Sequence, residues 1–247
     1  MLRRTALLTV ATALCTLSVL AACGSDNDNT SPNNTSMVRI VNASSTTTGL
    51  NATSGSTTLS SGLNFQNTNM AASCTTIPSG NQTINFTSSS STTGIGSVTY
   101  NFLPGQAYTV VFFGNNNAVV FPETFTAPTS GNYAVRFINA TANSSDVYVT
   151  APGATLTSTS TASSAGILSN SVSGFNATTA TGGTFTSFPT GSNFVRTFKA
   201  GANPSTATST GSFTILSMST TGAQTVIFTA ANASNSNATA FQVNSCK

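Results

Sequence analysis

The hexapeptide Val38-Arg39-Ile40-Val41-Asn42-Ala43 returns as Val135-Arg136-Phe137-Ile138-Asn139-Ala140, every position displaced by 97 residues (135 against 38). Both copies are rich in β-branched and aromatic residues and read as β-strands. An internal duplication is the simplest origin, so whatever one copy builds the other should build too. A second pair of segments supports it: Thr109-Val110-Val111-Phe112 is echoed by Thr225-Val226-Ile227-Phe228, displaced by 116. The second copy therefore carries 19 extra residues (116 against 97), expected in the Ser/Thr/Ala/Gly-rich stretch between Thr157 and Phe194.

From Met37 onward the apolar residues come in short clusters separated by Gly, Asn, Ser, Thr and Pro, with no sustained helical spacing. In the first copy strands are expected at Val38 to Asn42, around Leu50, and at Leu63 to Phe65, Thr83 to Phe86, Val98 to Phe102, Tyr108 to Phe113 and Val119 to Phe125. Leu103-Pro104-Gly105-Gln106 and Asn115-Asn116-Asn117 are turns by composition. Tyr108 to Phe113 is the strongest buried-strand signal. In the second copy Val147 to Val149, Phe194 to Phe198, Phe213 to Met218 and Thr225 to Phe228 follow the same plan. The expected fold is all-β: two tandem antiparallel β-sandwiches, Ig-like or transthyretin-like, over residues 37–130 and 131–247, joined at Ala127-Pro128-Thr129-Ser130-Gly131. A β-solenoid would need a period of about 20 to 30 residues repeated several times, and the period here is near 100.

Residues 1–22 read as an export signal: Arg3 and Arg4 open it, an apolar run from Ala6 to Leu20 follows, and Leu20-Ala21-Ala22-Cys23 closes it. The run is shorter than the roughly 20 residues that span a bilayer as a helix. The closing tetrapeptide resembles the bacterial lipobox, which implies cleavage before Cys23, a diacylglyceryl group on its sulfur and acylation of the new amino terminus. By the same resemblance Gly24 after the cysteine implies the outer membrane, with the protein on its periplasmic face or at the cell surface. Residues 23–36, polar and without periodicity, read as a flexible tether.

Without residues 1–22 the chain keeps five basic residues against Asp26, Asp28, Glu123 and Asp146. So few charges, with no basic cluster, exclude nucleic acid as a natural partner. The low charge does not signal disorder, since sixteen Phe argue for a core. The absence of His removes the commonest general base and metal ligand. With no nucleophile motif, phosphate loop or metal-spaced cysteines, neither a cofactor nor a metal is expected, nor an enzyme. A hydrolase would have to combine Glu123 or Asp146 with Lys199. Cys74 and Cys246 remain for the exported chain, most simply as one disulfide, with two free buried thiols as the alternative. Arg39 and Arg136 are candidate partner contacts displayed twice; the plainer reading is a solvent-facing or edge-strand charge that discourages aggregation. Asp146 could pair with an arginine or cap a turn, the turn being the commoner use. The tyrosines at positions 100, 108, 133 and 148 fall within strands and read as core.

At Val135 to Ala140, at Asp146-Val147-Tyr148-Val149 and at Gly105-Gln106-Ala107-Tyr108-Thr109-Val110 the chain resembles the bacterial family called domain of unknown function 4397, over most of residues 37 to 247. The resemblance implies an exported β-sandwich, often in tandem and lipid-anchored, with no established activity and no catalytic residues. The chain departs from the family where Gly49 stands for Asp146, where Gln224 stands for Tyr108, and where a Pro-Asp after the opening strand is missing. The function expected is that of a non-enzymatic, lipid-anchored structural or binding module of the cell envelope, held at the membrane by its lipid and meeting an envelope protein or a glycan. An adhesin working through Ser158 to Thr181 is the alternative.

Overall fold

The computed structural model describes residues 34–65, 71–173, 183–191, 193–215, 223–229 and 239–246. The signal segment, Cys23 and the tether as far as residue 33 lie outside them, as do residues 174–181 of the expected adhesin loop. Seventeen strands and no helix are described. In the first copy these are β1 (Thr35–Asn42), β2 (Leu50–Ser54), β3 (Thr57–Leu63), β4 (Thr75–Pro78), β5 (Gly80–Ser88), β6 (Gly94–Phe102), β7 (Ala107–Gly114) and β8 (Asn117–Pro122). In the second they are β9 (Asn132–Ala140), β10 (Ser145–Thr150), β11 (Ser164–Ile167), β12 (Ser171–Val172), β13 (Thr186–Pro189), β14 (Asn193–Lys199), β15 (Gly211–Ile215), β16 (Ala223–Thr229) and β17 (Thr239–Asn244).

The first copy pairs its strands in the orders β4-β1-β7-β8 and β3-β2-β5-β6. The second repeats both: β13 lies beside β9, followed by β16 and β17, and the other sheet runs β11-β10-β14-β15. Each copy is thus a β-sandwich with the same wiring, β12 being a short addition on β9. The pairing is antiparallel except at one ladder per copy, where β1 runs parallel to β7 and β9 parallel to β16. Clustering of apolar residues along the sequence cannot signal that parallel pairing, because it joins the first strand of each copy to one near its end, β7 or β16.

Why these segments form these strands follows from period-two alternation. On β1, Val38 and Ile40 point into the first core with Ile84, Phe86, Phe102 and Phe112. On β9, Tyr133, Val135 and Phe137 point into the second with Val195, Val226 and Phe228. The hairpin between β7 and β8 turns at Asn115 and Asn116, both at positive φ (50° and 61°), the conformation a two-residue hairpin matched to strand twist requires and asparagine tolerates. Five strands, β4, β11, β12, β13 and β17, are not expected from the sequence; of these β4 and β13 each cover a β-sheet edge beside β1 or β9.

The extra length of the second copy is spread over more than one loop, and not confined between Thr157 and Phe194. Residues 151–163 connect β10 to β11 where two residues, Gly55 and Ser56, connect β2 to β3. Residues 200–210 connect β14 to β15 where residues 89–93 connect β5 to β6. Leu156, Ala162, Ala202 and Ala207 from these two loops pack on Tyr148 and Phe198, covering the outer side of that sheet.

A third apolar cluster belongs to neither sandwich. Val41, Ala43, Val111 and Phe121 of the first meet Ile138, Val172, Ile227 and Val243 of the second. The sheets containing β1 and β9 therefore pack back to back, and four β-layers stack in one compact unit. Every residue of β16 is buried, and all but one of β7, since both faces of these strands are covered. That is why Tyr108 to Phe113 is so continuously apolar.

Candidate functional site: the polar end of the sandwich interface

The duplicated hexapeptide supplies both a structural and an interfacial residue. Its asparagine is the structural one. Asn42 Nδ2 donates to the carbonyls of Thr47 (3.0 Å) and Leu63 (2.9 Å), and its Oδ1 accepts from Ser44 N (3.1 Å). Asn139 repeats the set on Asn143 O (2.7 Å), Ile167 O (2.9 Å) and Thr141 N (2.9 Å). Both side chains are fully buried, and each ties the first strand of its sandwich to the end of a strand in the opposite sheet. Such satisfied buried amides specify how the two sheets meet.

Its arginine is the interfacial one. Neither Arg39 nor Arg136 lies on an edge strand, because β1 and β9 are each flanked on both sides. Arg39 is half-buried and reaches the second sandwich, donating through Nη1 to Asn244 O and through Nη2 to Cys74 Sγ (2.9 Å). Arg136 is fully buried and reaches the first through Nη1, which donates to Pro122 O (2.6 Å), while its Nε donates to Thr225 Oγ1 (2.9 Å) of its own sandwich. Its guanidinium also lies 4.8 Å from the Phe185 ring centroid, a cation–π contact.

These contacts are related by an approximate two-fold. Pro122 pairs with Tyr108 on β7, and Asn244 with Gln224 on β16; the two carbonyls hold the same place in their sandwiches, since Tyr108 and Gln224 are separated by the repeat offset of 116. Each arginine thus grips the equivalent carbonyl of the other sandwich, the pattern of an isologous dimer built within one chain. The next residues, Glu123 and Ser245, are equivalent too: their amides donate to Ala107 O (2.8 Å) and Ala223 O (2.9 Å). They meet each other, Ser245 Oγ donating to Glu123 Oε2 at 2.7 Å.

Glu123 is the shared acceptor of this region. It is buried, and its Oε1 accepts from Thr109 Oγ1 (2.5 Å) and its Oε2 from Cys246 N (2.6 Å) as well as Ser245. Burial pushes the Arg136 guanidinium down to about 10, with the Glu123 charge opposing the shift. Arg39 is lowered as well, for the same reason and against the same opposing charge. Cys74, just ahead of β4, and Cys246, just past β17, form the disulfide, with Cα atoms 5.8 Å apart. The bridge, two arginines and one carboxylate therefore close one end of the interface.

Asp146, in β10, accepts from Gly166 N (2.6 Å) and Gly201 N (2.8 Å), so its carboxylate fastens two loops. Its counterpart Gly49 has φ +68°, and a Cβ there would lie 2.0 Å from Ser89 Oγ, which explains why no aspartate stands in the first copy. Lys199 is exposed at the end of β14. Neither described groove is lined by Glu123, Asp146 or Lys199: one, of about 710 Å³, runs between residues 124–129 and Phe185, and the other, of about 750 Å³, lies over Asn51 and residues 87–92. Among the described residues no group of three or more His, Cys, Asp or Glu could hold a metal. Sequence reasoning missed Phe185 and the sharing of Glu123 by both halves. The signal for Glu123 was present in its equivalence to Ser245, one offset of 122 that only the β7–β8 and β16–β17 registers align.

A chain of this build is a double β-sandwich protein whose halves are fused through a polar and apolar interface. Residues 36–150 match the family model described as "Domain of unknown function (DUF4397)". The match takes in the whole first sandwich and runs on through β9 and β10. No curated protein matches. Among solved structures, similarity is found to the crystal structure of CBMbc (family CBM26) from Eubacterium rectale Amy13K in complex with maltoheptaose, at 9% identity and a TM-score of 0.26, over 85% of this chain and 97% of that one. A likeness that distant assigns no role to any residue here.

Proposed function

We propose that this protein is a lipid-anchored, non-enzymatic module of the cell envelope, structural or binding in role, attached through Cys23. One observation carries the reading. Both carboxylates of the described fold are engaged by internal donors, Glu123 by three and Asp146 by two. Held by these donors and absent from the lining of both described grooves, neither is placed to take a proton from a bound substrate, which counts against the hydrolase reading. The fused interface gives rigidity in place of chemistry. The Arg3-Arg4 start, the apolar run and Leu20-Ala21-Ala22-Cys23 support export, acylation and residence in the outer membrane.

Binding, on this reading, uses the outer side of the β3-β2-β5-β6 sheet. Unlike its counterpart in the second sandwich, this side carries no loop cluster among the described residues. Thr83 and Thr99 are exposed there and hydrogen-bonded across the strands at 2.8 Å, and exposed Asn81 and Asn101, like Asn85 and Ser97, are paired in register. The face is neutral, polar and regular, which suits an uncharged glycan or an envelope protein and gives the adhesin alternative a surface besides the loop Ser158 to Thr181. Metabolic labelling with a fatty-acid probe tests the anchor: label lost in Cys23→Ala, with the protein released from the membrane fraction, is the expected result, and label retained refutes it. A pull-down from outer membranes with wild type and with Thr83→Lys/Thr99→Lys tests the face, which is refuted if both recover the same partners. Unchanged cell attachment on deleting residues 158–181 removes the loop-based adhesin.

A further inference from the structure

We infer that the disulfide between the sandwiches is a polarised thiol-exchange site, at which an incoming thiolate is directed to Cys246 and Cys74 departs. The inference is independent of the lipid anchor and of any binding role. It rests on an asymmetry around the two sulfurs. Cys74 Sγ receives Nη2 of Arg39 at 2.9 Å, a permanent cation held by a second bond to Asn244 O. Among the described residues the cation contacts the bridge at Cys74; on the Cys246 side the residue's amide donates to the Glu123 carboxylate at 2.6 Å, which places negative charge there. Both cysteines are half-buried, so the bridge lies at the rim of the interface and not inside the apolar cluster.

Thiol–disulfide exchange proceeds by in-line attack of a thiolate on one sulfur while the other leaves as a thiolate, and the better-stabilised thiolate leaves faster. A guanidinium beside a sulfur stabilises its thiolate, and a nearby carboxylate disfavours one. The step is RS⁻ + Cys246–S–S–Cys74 → Cys246–S–SR + Cys74–S⁻. The new bond forms at Cys246 Sγ, the old electron pair goes to Cys74 Sγ beside Arg39, and no oxidant or reductant besides the thiolate is consumed. The consequence is that the modified cysteine is the one at the chain's end, past β17, while the cysteine left free stays fixed next to β1. Cys74 is then positioned to re-attack Cys246 and expel the thiol, so the modification is reversible without a second protein thiol.

The test uses the intact exported chain with its bridge formed. The protein is treated with glutathione at neutral pH in the presence of iodoacetamide, quenched with acid, digested and analysed by mass spectrometry. The expected product carries glutathione on Cys246 and the alkyl group on Cys74, in excess of the reverse arrangement by on the order of tenfold. Arg39→Gln should bring the two arrangements toward equality, and Arg39→Lys should retain part of the bias. Equal products, or glutathione mainly on Cys74, in the wild-type protein overturn the proposal outright. Because the wild-type ratio decides by itself, the test stands even if Arg39→Gln fails to fold, and a bias undiminished in a folded Arg39→Gln would overturn the role given to the guanidinium.

Discussion

Glu123→Ala is the most informative single change. It removes the acceptor of Thr109 Oγ1, Ser245 Oγ and Cys246 N, and it removes the carboxylate whose charge acts on both arginines. Arg136, with no exposed surface, is left as a buried cation facing backbone carbonyl, hydroxyl and ring partners alone. Losing one member of a buried charged network costs about 3–5 kcal/mol, because the groups left behind keep their desolvation penalty. For a domain of this size each kcal/mol moves the melting temperature by about 2–4 °C, so a fall on the order of 10 °C is expected. Glu123→Gln keeps the shape but turns one acceptor into a donor, and about half the effect should remain. Thermal and urea denaturation of the chain without residues 1–23, with the disulfide intact in every variant, measure it. A double-mutant cycle with Arg136→Met isolates the electrostatic part: once the buried cation is gone, the cost of Glu123→Ala should shrink by at least about 1 kcal/mol. A cost below about 1 kcal/mol for Glu123→Ala, or strict additivity with Arg136→Met, would refute the shared-carboxylate account.

Asn42→Ala and Asn139→Ala should each destabilise by about 2–3 kcal/mol, since each leaves two buried carbonyls and an amide without their partner, and equal losses in urea titrations would confirm that the two copies use the residue alike. Replacing Cys74 and Cys246 by Ser opens a loop of 172 residues and should lower stability by at most about 5 kcal/mol while leaving the far-ultraviolet circular dichroism unchanged; loss of the β spectrum would show that the apolar interface cannot hold the sandwiches without the bridge. Tyr133 is raised above 10 by burial, with the bond from Asn193 Nδ2 (2.6 Å) opposing it. The unfolded chain therefore loses this proton first, so its contribution is complete below pH 10 and declines as pH rises through the native value. Tyr133→Phe should flatten that decline in denaturation series run from pH 9 to 11, and an unchanged slope would contradict the assignment.

Much of this architecture was legible because it depends on local pattern. The alternation in Val38 to Val41 and Val135 to Ile138 identifies strands and tells which residues share a face, and the offsets of 97 and 116 reveal two copies and the unequal loops between them. The pairing of Cys74 with Cys246 was the simplest use of the two cysteines left once Cys15 was assigned to the signal segment and Cys23 to the lipid. What period-two alternation does not record is what covers a face. Arg39 and Arg136 stand in apolar strands on the side away from their own cores, and from sequence that side reads equally as solvent. Only the tertiary structure lays the β1 and β9 sheets back to back, joins β1 to β7 and β9 to β16 in parallel, and brings Glu123 between two arginines 97 residues apart. The physical reason is that these contacts join segments far apart along the chain. Their energy comes from burying a shared apolar surface and from bonds made to the charged groups at its end, a property of two assembled sandwiches that neither copy carries alone.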